Sequence, residues 1–325
     1  MYPVSPTPEA KVAGTLHSRG PVAPLGTILV GTDLSDGGRS ALRAAAHLVP
    51  SRPGNVHVVH VQPAPDRRLP AREDSAPESE GVIAADQPSI SDPLSQLAQQ
   101  IQDSGLADRG AHPCVCVGRP FQVITALAEE VAANLIVLGR HRPRRAFDGL
   151  LGSTAERVVR TAAVPCLVVN REIEATPRRI MVATDLSPHG EHAGQVAVTW
   201  AKQWAGDSGA QGAPADGRIH VQLVSIADFA RPGYRPLRLT DTLRSHEKAA
   251  SETGGDAVEV TSRVVSYPLA PEGILKIAEE LEADLVFMGT HGYGPVLRHL
   301  FGSVTSEVIR TLPLPVVVVP LPVGR

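Results

Sequence analysis

The sequence predicts an α/β protein made of two tandem doubly wound domains, each a five-stranded parallel sheet with helices on both faces. Three observations carry this prediction. Short apolar segments alternate with segments of helical periodicity, which is typical of parallel strands joined by right-handed crossovers. The apolar segments are apolar almost throughout, as in strands covered on both faces. The same order of segments occurs twice within 325 residues, a length suited to two domains.

Composition restricts the function classes. Apolar residues make up 42% and charged residues 20%, as in ordinary globular proteins. A net charge of −3 argues against nucleic acid or an anionic membrane as the main partner. No apolar run reaches the roughly 20 residues that a membrane-spanning helix needs. Residues 1–23 are rich in proline, lack the apolar stretch of a signal peptide and are expected to be disordered.

Three cysteines are too few for a disulfide framework. Cys114 and Cys116 alternate with valine in an apparent strand, so both side chains should point to one face. We interpret them, with Cys166, as small buried apolar residues rather than a metal or redox pair. Unpaired thiols are typical of a reducing compartment, so a cytoplasmic location is expected.

The first domain is predicted to span residues 24–172. Ser35 or Asp36 is expected to cap its first helix, because both residue types accept hydrogen bonds from helix N–H groups. Residues 62–91 are rich in Pro, Asp, Glu, Arg and Ser, which indicates a mobile insertion. The predicted elements are strands at 27–30, 56–61, 113–117, 135–139 and 166–169, and helices at 35–48, 93–103, 121–132 and 153–161.

The second domain, residues 176–322, repeats this order. Trp200 and Trp204 lie four residues apart in its first helix and are expected to form a core stripe. The repeated elements are strands at 180–183, 219–226, 284–288 and 315–319, and helices at 192–204, 271–281 and 304–310. The two copies stay in register with length differences confined to loops, which indicates a tandem duplication. An offset of 150 separates Gly139 from Gly289, Ser153 from Ser303, and Pro165 from Pro315.

The loop of residues 289–303 is the strongest functional signal. It joins a buried-type strand to a helix and carries four glycines, the last of which, Gly302, directly precedes Ser303. Glycine lets a backbone approach a ligand closely. The unpaired N–H groups that open the helix lie at the positive end of its dipole and favour a phosphate. Asp185 ends the first strand of this half, so it should lie at the same rim of the sheet, where such folds bind ligands.

The spacing Gly289-x2-Gly292-x9-Gly302-Ser303 resembles the universal stress protein family, in its tandem-domain type. The Ala183-Thr184-Asp185 turn and the closing Pro-Val-Val-Val-Val strand share the resemblance, which covers both halves. It implies a Rossmann-like, adenine nucleotide alpha hydrolase-like fold that binds ATP together with Mg²⁺, through a motif that is intact in the second domain. The nucleotide-binding residues it implies there are Ala183, Thr184, Asp185, Ile226, Gly289, Gly292, Gly302, Ser303, Val304 and Thr305.

The first domain departs from this pattern, because Arg142 replaces the second glycine. If the position needs positive φ, arginine costs about 1–3 kcal/mol there. Against this, the loop carries four arginines, and a guanidinium suits phosphate. Nucleotide binding in this domain therefore stays open. Its candidate residues are Thr32, Asp33, Val61, Gly139, Gly152 and Ser153.

Other interpretations remain for single residues. Asp33 and Asp185 are also consistent with simple helix caps. His291 fits a loop-shaping role better than acid–base catalysis, since no nucleophile or carboxylate lies at a telling spacing. The lysine of a P-loop is missing, so no catalytic residue and no protein metal ligand is predicted.

The function that the resemblance implies is that of an ATP-binding, nucleotide-dependent sensor or regulator in the stress response. Two alternatives stay open: a slow ATPase or nucleotidyl-transfer enzyme, and a ligand-free scaffold for protein interactions. The last strands of the two halves are apolar and, by the resemblance, lie at sheet edges, which seek partners. We expect them to pair within the chain as an intramolecular version of the family dimer. A homodimer of chains and an unidentified regulatory protein are further expected partners.

Overall fold

A computed structural model describes residues 22–49, 55–63, 92–140, 153–207, 218–227, 236–291 and 302–322. The predicted disordered segment 1–23 and the predicted insertion 62–91 lie almost entirely outside these residues, as do Gly152 and Gly292. Within the described ranges, no helix combines the length and apolar content needed to cross a membrane.

The first half folds as the apolar and helical patterns predict, with ends that agree to within two residues. Ser35 is the cap of the first helix, and its side chain accepts from the N–H of Gly38. The elements are β1 Ile28–Thr32, α1 Asp36–Leu48, β2 Val56–Gln62, α2 Pro93–Asp103, β3 His112–Val117, α3 Pro120–Glu130, β4 Leu135–Gly139, α4 Ser153–Thr161 and β5 Cys166–Val169.

The second half repeats the order and adds two elements that the sequence analysis missed, α6 and β8. β8 escaped notice because buried valines alternate with exposed residues at its start, for example Val258 and Glu259, instead of forming a continuous apolar run. The elements are β6 Arg179–Ala183, α5 Pro188–Asp207, β7 Ile219–Ala227, α6 Pro236–Gly254, β8 Val258–Ser266, α7 Ala270–Glu280, β9 Leu285–Gly289, α8 Ser303–Thr311 and β10 Val316–Val319.

All ten strands form one sheet in the order β3-β2-β1-β4-β5-β10-β9-β6-β7-β8. Pairing is parallel within each half, and helices cover both faces. On one face Leu42 and Leu97 of α1 and α2 are fully buried, and on the other Ile124 and Val158 of α3 and α4 are buried. Trp200 and Trp204 are each 2% exposed and pack edge to face, as the core stripe predicted. The predicted fold class is confirmed.

The two halves join through β5 and β10, which pair antiparallel as predicted. Val317 lies opposite Leu167, and both strands are buried along their whole length. The pairing closes two sheet edges that would otherwise present unpaired backbone groups.

Polar side chains strengthen this junction. The Nδ2 group of Asn170, just after β5, donates to three carbonyl oxygens in the last turn of α8 and in the segment that follows it. The distances are 2.9–3.4 Å, to the oxygens of Leu312, Leu314 and Ile309. The Arg140 guanidinium, from the end of β4, donates to the Arg310 carbonyl at 2.7 Å. Helix ends leave such carbonyls without intrahelical partners. The first half therefore caps a helix of the second.

We expect Asn170→Ala to destabilise the protein by about 1–3 kcal/mol, because it leaves half-buried carbonyls unsatisfied. Asn170→Asp should cost more, because a carboxylate would face carbonyl oxygens at the negative end of the helix dipole. Chemical denaturation measures both. Asn134→Asp is the matched control: Asn134 accepts from the Thr27 N–H, and an aspartate, Asp284, serves the equivalent position in the second half. Equal stability of the Asn170→Asp and Asn134→Asp variants would contradict the cap.

Two equivalent residues after α3 and α7 adopt left-handed backbone conformations. Ala132 has φ 49° and Glu282 has φ 48°. A residue with a Cβ is strained there by about 1–2 kcal/mol, and glycine is the common solution at a helix end.

Ala132→Gly should therefore stabilise the protein by up to about 1 kcal/mol, since it relieves this strain at an exposed site. Ala126→Gly, exposed in the interior of the same helix, should instead destabilise by about 1 kcal/mol. Thermal denaturation of the two variants measures the opposite signs. A loss of stability in both would show that Ala132 is unstrained.

Candidate functional site

A cleft of about 340 Å³ opens at the carboxyl ends of β1 and β4 in the first half. β1 lies between β2 and β4 in the sheet, so the chain leaves it in one direction and later returns on its other side. Doubly wound sheets bind ligands at such a switch point. Five of the six residues predicted for this domain line the cleft, namely Thr32, Asp33, Val61, Gly139 and Ser153. The sixth, Gly152, lies outside the described residues.

The cleft also has an apolar wall that the sequence analysis did not identify. Val59 joins Val61 from β2, and Ile124 of α3 and Leu138 of β4 complete the wall. Val59 was open to prediction, because residues two apart on a strand point to the same face. The contribution of α3 depends on how that helix crosses the sheet, which no local pattern reveals. The other lining residues are Gly31, Gly38, Pro120, Thr154 and Ala155.

The turn after β1 is held by its own side chains. The Thr32 hydroxyl accepts from the N–H of Leu34 at 3.0 Å, and Asp33 Oδ1 accepts from the N–H of Ser35 at 3.0 Å. Leu34 has φ 65°, a left-handed conformation that costs a leucine about 1–2 kcal/mol. Asp33 therefore orders the turn, while Ser35 caps the helix. The carboxylate of Asp33 is exposed at the rim of the cleft.

The second half builds the same turn. Thr184 Oγ1 accepts from the N–H of Leu186 and Asp185 Oδ1 accepts from that of Ser187, both at 3.0 Å. Leu186 has φ 65°, and Asp185 is exposed. The same four residues, Thr-Asp-Leu-Ser, thus adopt the same strained geometry in both halves. Backbone strain of this kind concentrates at functional sites.

Glycines let strands and helix starts touch at this rim. A Cβ on Gly139 would lie 1.8 Å from the carbonyl oxygen of Gly37 in α1. A Cβ on Gly289 would lie 2.7 Å from Cβ of His189 in α5. Packing against the first helix of each half therefore requires glycine at both positions, a reason that the sequence does not show. Their closest neighbours are the first helices of their own halves.

The start of α8 is tied to the end of β9. The N–H of Gly302 donates to the Thr290 carbonyl at 3.0 Å, and the Thr305 hydroxyl donates to the Gly289 carbonyl at 2.9 Å. Thr305 is buried, so its hydroxyl braces the loop, whereas Ser303 at the helix start is exposed. Val304 packs against the core, and Ile226 ends β7 half-buried. Ala183 is buried at the end of β6, and Gly292 lies outside the described residues.

Two pairs of histidines contact each other, one at the rim of the second half and one at the amino ends of β2 and β3. His291 bonds the Thr290 hydroxyl at 3.0 Å through Nδ1, and its ring lies 5.2 Å from that of His189. His57 and His112 stack at 5.4 Å on neighbouring strands; burial, then the charge of His112, lowers the pKa of His57. Within the described ranges, no three His, Cys, Asp or Glu side chains form a group that could hold a metal ion.

The loop arginines of the first half do not all face its own cleft. The side chain of Arg140 turns away to the end of α8, as described above. The other three arginines of this loop lie outside the described residues. Among the four loop arginines that suit phosphate by their chemistry, Arg140 instead binds a carbonyl in the last turn of α8.

The architecture defines a class of protein. Each half is a parallel α/β unit in which an aspartate turn and a helix that starts at a Gly-Ser pair meet at the carboxyl ends of the strands. This is the arrangement of doubly wound ligand-binding domains, here present twice in one chain.

Comparison with known proteins identifies the family. The model of the universal stress protein family matches residues 24–170 and 176–320, so the chain belongs to that family. Universal stress protein Rv2319c of Mycobacterium tuberculosis is 26% identical over 255 residues, which cover 74% of this chain and 80% of that protein. Universal stress protein Slr1230 of Synechocystis is 27% identical over 184 residues; this match spans 56% of either chain, about half the length of that relative.

Solved structures agree on the fold. A universal stress protein from Archaeoglobus fulgidus superposes with a TM-score of 0.56 at 21% identity, over 90% of this chain and 98% of that one. One from Pseudomonas aeruginosa gives a TM-score of 0.57 at 18% identity, over 92% of this chain and 94% of that one. Both comparisons extend over the two halves of the chain.

The close packing of the turn after β6 against the start of α5 can be tested with glycine substitutions. A Cβ on Gly190 would lie 2.4 Å from Thr184 Oγ1, so Gly190→Ala should destabilise the protein by about 1–3 kcal/mol. Gly206→Ala, near the end of the same helix, meets no atom within 4 Å and should stabilise by up to about 1 kcal/mol. Urea denaturation compares them. Tolerance of alanine at Gly190 would mean that the turn is not tightly packed.

Proposed function

We propose that this protein binds ATP, accompanied by Mg²⁺, at the rims of both halves and that nucleotide occupancy is the signal it carries in the stress response. The observation that supports this most directly is the first-half cleft. It combines an apolar wall, the exposed carboxylate of Asp33 and the exposed helix start at Ser153 in one space.

Each part of the cleft suits one part of the nucleotide. The valines of β2 with Ile124 and Leu138 offer an apolar surface for the adenine ring. Asp33 can accept hydrogen bonds from hydroxyl or amino groups of a nucleoside. The volume of about 340 Å³ falls at the lower end of the range for small-molecule sites.

The start of α4 suits the phosphates. Ser153 and Thr154 line the cleft where the first N–H groups of this helix lack intrahelical partners. These groups and the helix dipole favour an anion. Because the described part of the chain holds no three-ligand metal group, Mg²⁺ would be bound mainly by the phosphates and by water.

The second half supports the proposal through its sequence and its equivalent turn. It keeps all the glycines of the 289–303 loop, and Ser303 is exposed at the start of α8 as Ser153 is at the start of α4. Asp185 occupies the same strained turn as Asp33. We therefore assign one nucleotide to each half.

A regulatory role is favoured over turnover by two features. The described lining of the first cleft contains no lysine, arginine or histidine that could stabilise the charge of phosphoryl transfer. In addition, α8 begins at the proposed phosphate site of the second half and ends against Arg140, at the start of the first glycine loop. A nucleotide at Ser303 could thus influence the other half, and an unidentified regulatory partner or a second chain could read that state.

Isothermal titration with ATP and Mg²⁺ tests this proposal. The wild type should bind two nucleotides per chain. Ser153→Glu and Ser303→Glu should each remove one site, with affinity there reduced by tenfold or more, about 1.4 kcal/mol, because a carboxylate would occupy the phosphate position. Both serines are exposed helix starts, and an acidic residue suits that position, so folding should be preserved.

The matched controls are Ser153→Gln and Ser303→Gln, which keep the size of the new side chain without its charge. Absence of ATP-dependent heat and of any thermal shift in the wild type would contradict nucleotide binding. Full binding by both glutamate variants would contradict the location of the phosphates.

A further inference from the structure

Cys114 and Cys116 lie on β3, which is the terminal strand of the sheet. Their sulfur atoms are 3.2 Å apart, and both are free thiols. The sequence analysis correctly predicted that they share a face. Its prediction that they are buried is wrong, because both are half-exposed and only Cys166 of the three is buried. An edge strand with a helix over part of its face explains the difference.

We propose that Cys114 and Cys116 are an oxidation site that closes to a reversible intrachain disulfide by exchange with a low-molecular-weight disulfide. One cysteine thiolate attacks the small disulfide, which forms a mixed disulfide and releases one small thiol. The second thiolate then attacks the protein-bound sulfur, closes the protein disulfide and releases the other small thiol. The protein loses two electrons and two protons, and the small disulfide gains them as two thiols.

The geometry favours a bond that forms and breaks easily. A disulfide has an S–S distance of about 2.05 Å, so the sulfurs must approach by only about 1 Å. The two cysteines are separated by one residue on an extended strand, and closing so small a ring strains both the strand and the bond. Strained, accessible disulfides have the higher reduction potentials of labile, regulatory bonds. The pair should therefore stay reduced until the ratio of disulfide to thiol in its surroundings rises.

The Cys114 thiol holds its proton strongly. Burial, a hydrogen bond with Cys116 and the nearby charges of Cys116 and Glu130 together raise the pKa of Cys114 to about 11. Cys114 thus keeps its proton at neutral pH and can donate it towards the sulfur of Cys116. Because the thiolate is the attacking species, closure of the disulfide should be slow at neutral pH.

The pair borders the first cleft. Cys114 lies opposite Val59 in the sheet register, and Cys116 lies opposite Val61. Both valines line the cleft. In the second half the matching positions of β8 are Arg263 and Val265, opposite Val224 and Ile226. We therefore expect a disulfide in β3 to distort the apolar wall of the first cleft and to leave the second half unchanged. The effect on nucleotide binding rests on the proposed function.

Counting thiols tests the disulfide without any nucleotide. The full chain is equilibrated in glutathione buffers of increasing oxidised fraction, quenched, denatured and labelled with a maleimide. Labelled thiols should fall from three to one, the intact mass should drop by two hydrogens without an adduct, and dithiothreitol should restore both. Cys166→Ser should behave in the same way, with two thiols falling to none.

Cys114→Ser and Cys116→Ser cannot close the ring, so Cys116 in the former should accumulate a glutathione adduct. Three labelled thiols in the oxidised wild type, a persistent adduct on it, or covalent dimers would each overturn the proposal.

The effect of the disulfide on the apolar wall is measured in the Ser303→Glu variant, which keeps only the first nucleotide site. Oxidation should weaken the ATP affinity of this variant about fivefold or more. Ser153→Glu, which keeps the second site, should show no change. If the disulfide forms but the chain never binds ATP, the proposed function fails and the oxidation site stands.

Discussion

The antiparallel pairing of β5 with β10 is the interaction on which the rest of the molecule depends. Each half alone would end in a four-residue apolar edge strand, and the pairing joins both edges into one ten-stranded sheet. The strands of each half are parallel to one another and antiparallel to those of the other half. The carboxyl ends of the strands in the two halves therefore lie at opposite ends of the sheet. The cleft of the first half and the equivalent rim of the second half lie at these opposite ends, and α8 is brought onto Asn170 and Arg140 at the junction.

That junction makes the duplicated halves unequal. Asn170 and Arg140 cap a helix of the second half, while the residues 150 positions later, Pro320 and Thr290, have no such side chains to offer in return. The first half also carries the thiol pair, at positions where the second has Arg263 and Val265. One copy keeps the full glycine loop, and the other has acquired contacts that tie it to its neighbour. Duplication followed by such divergence suits a regulator whose two sites answer to different inputs.

Most strands of the fold were predictable from the sequence, because a parallel strand that is buried on both faces is apolar almost throughout. The start of the first helix was predictable because serine is a favoured N-cap residue and Ser35 lies there. β8 was missed because an edge strand alternates polar and apolar residues. The spacing of Cys114 and Cys116 showed that the two side chains share a face of the strand. It did not show that they are exposed, because their exposure depends on the position of β3 in the sheet. At Gly139 and Gly289 the sequence indicated that glycine is needed. It did not show that the first helix of each half packs against that glycine, because this contact depends on tertiary packing.

We propose that each half holds a nucleotide with its base on the second strand and its phosphates at the helix that follows the fourth strand. A crystal structure of the full chain grown with ATP and Mg²⁺ tests it most directly. Density for adenine beside Val61 and Ile226, with phosphates at Ser153 and Ser303, is the result that we predict. Nucleotide bound away from both rims, or clefts filled by side chains in the presence of saturating ATP, would contradict it.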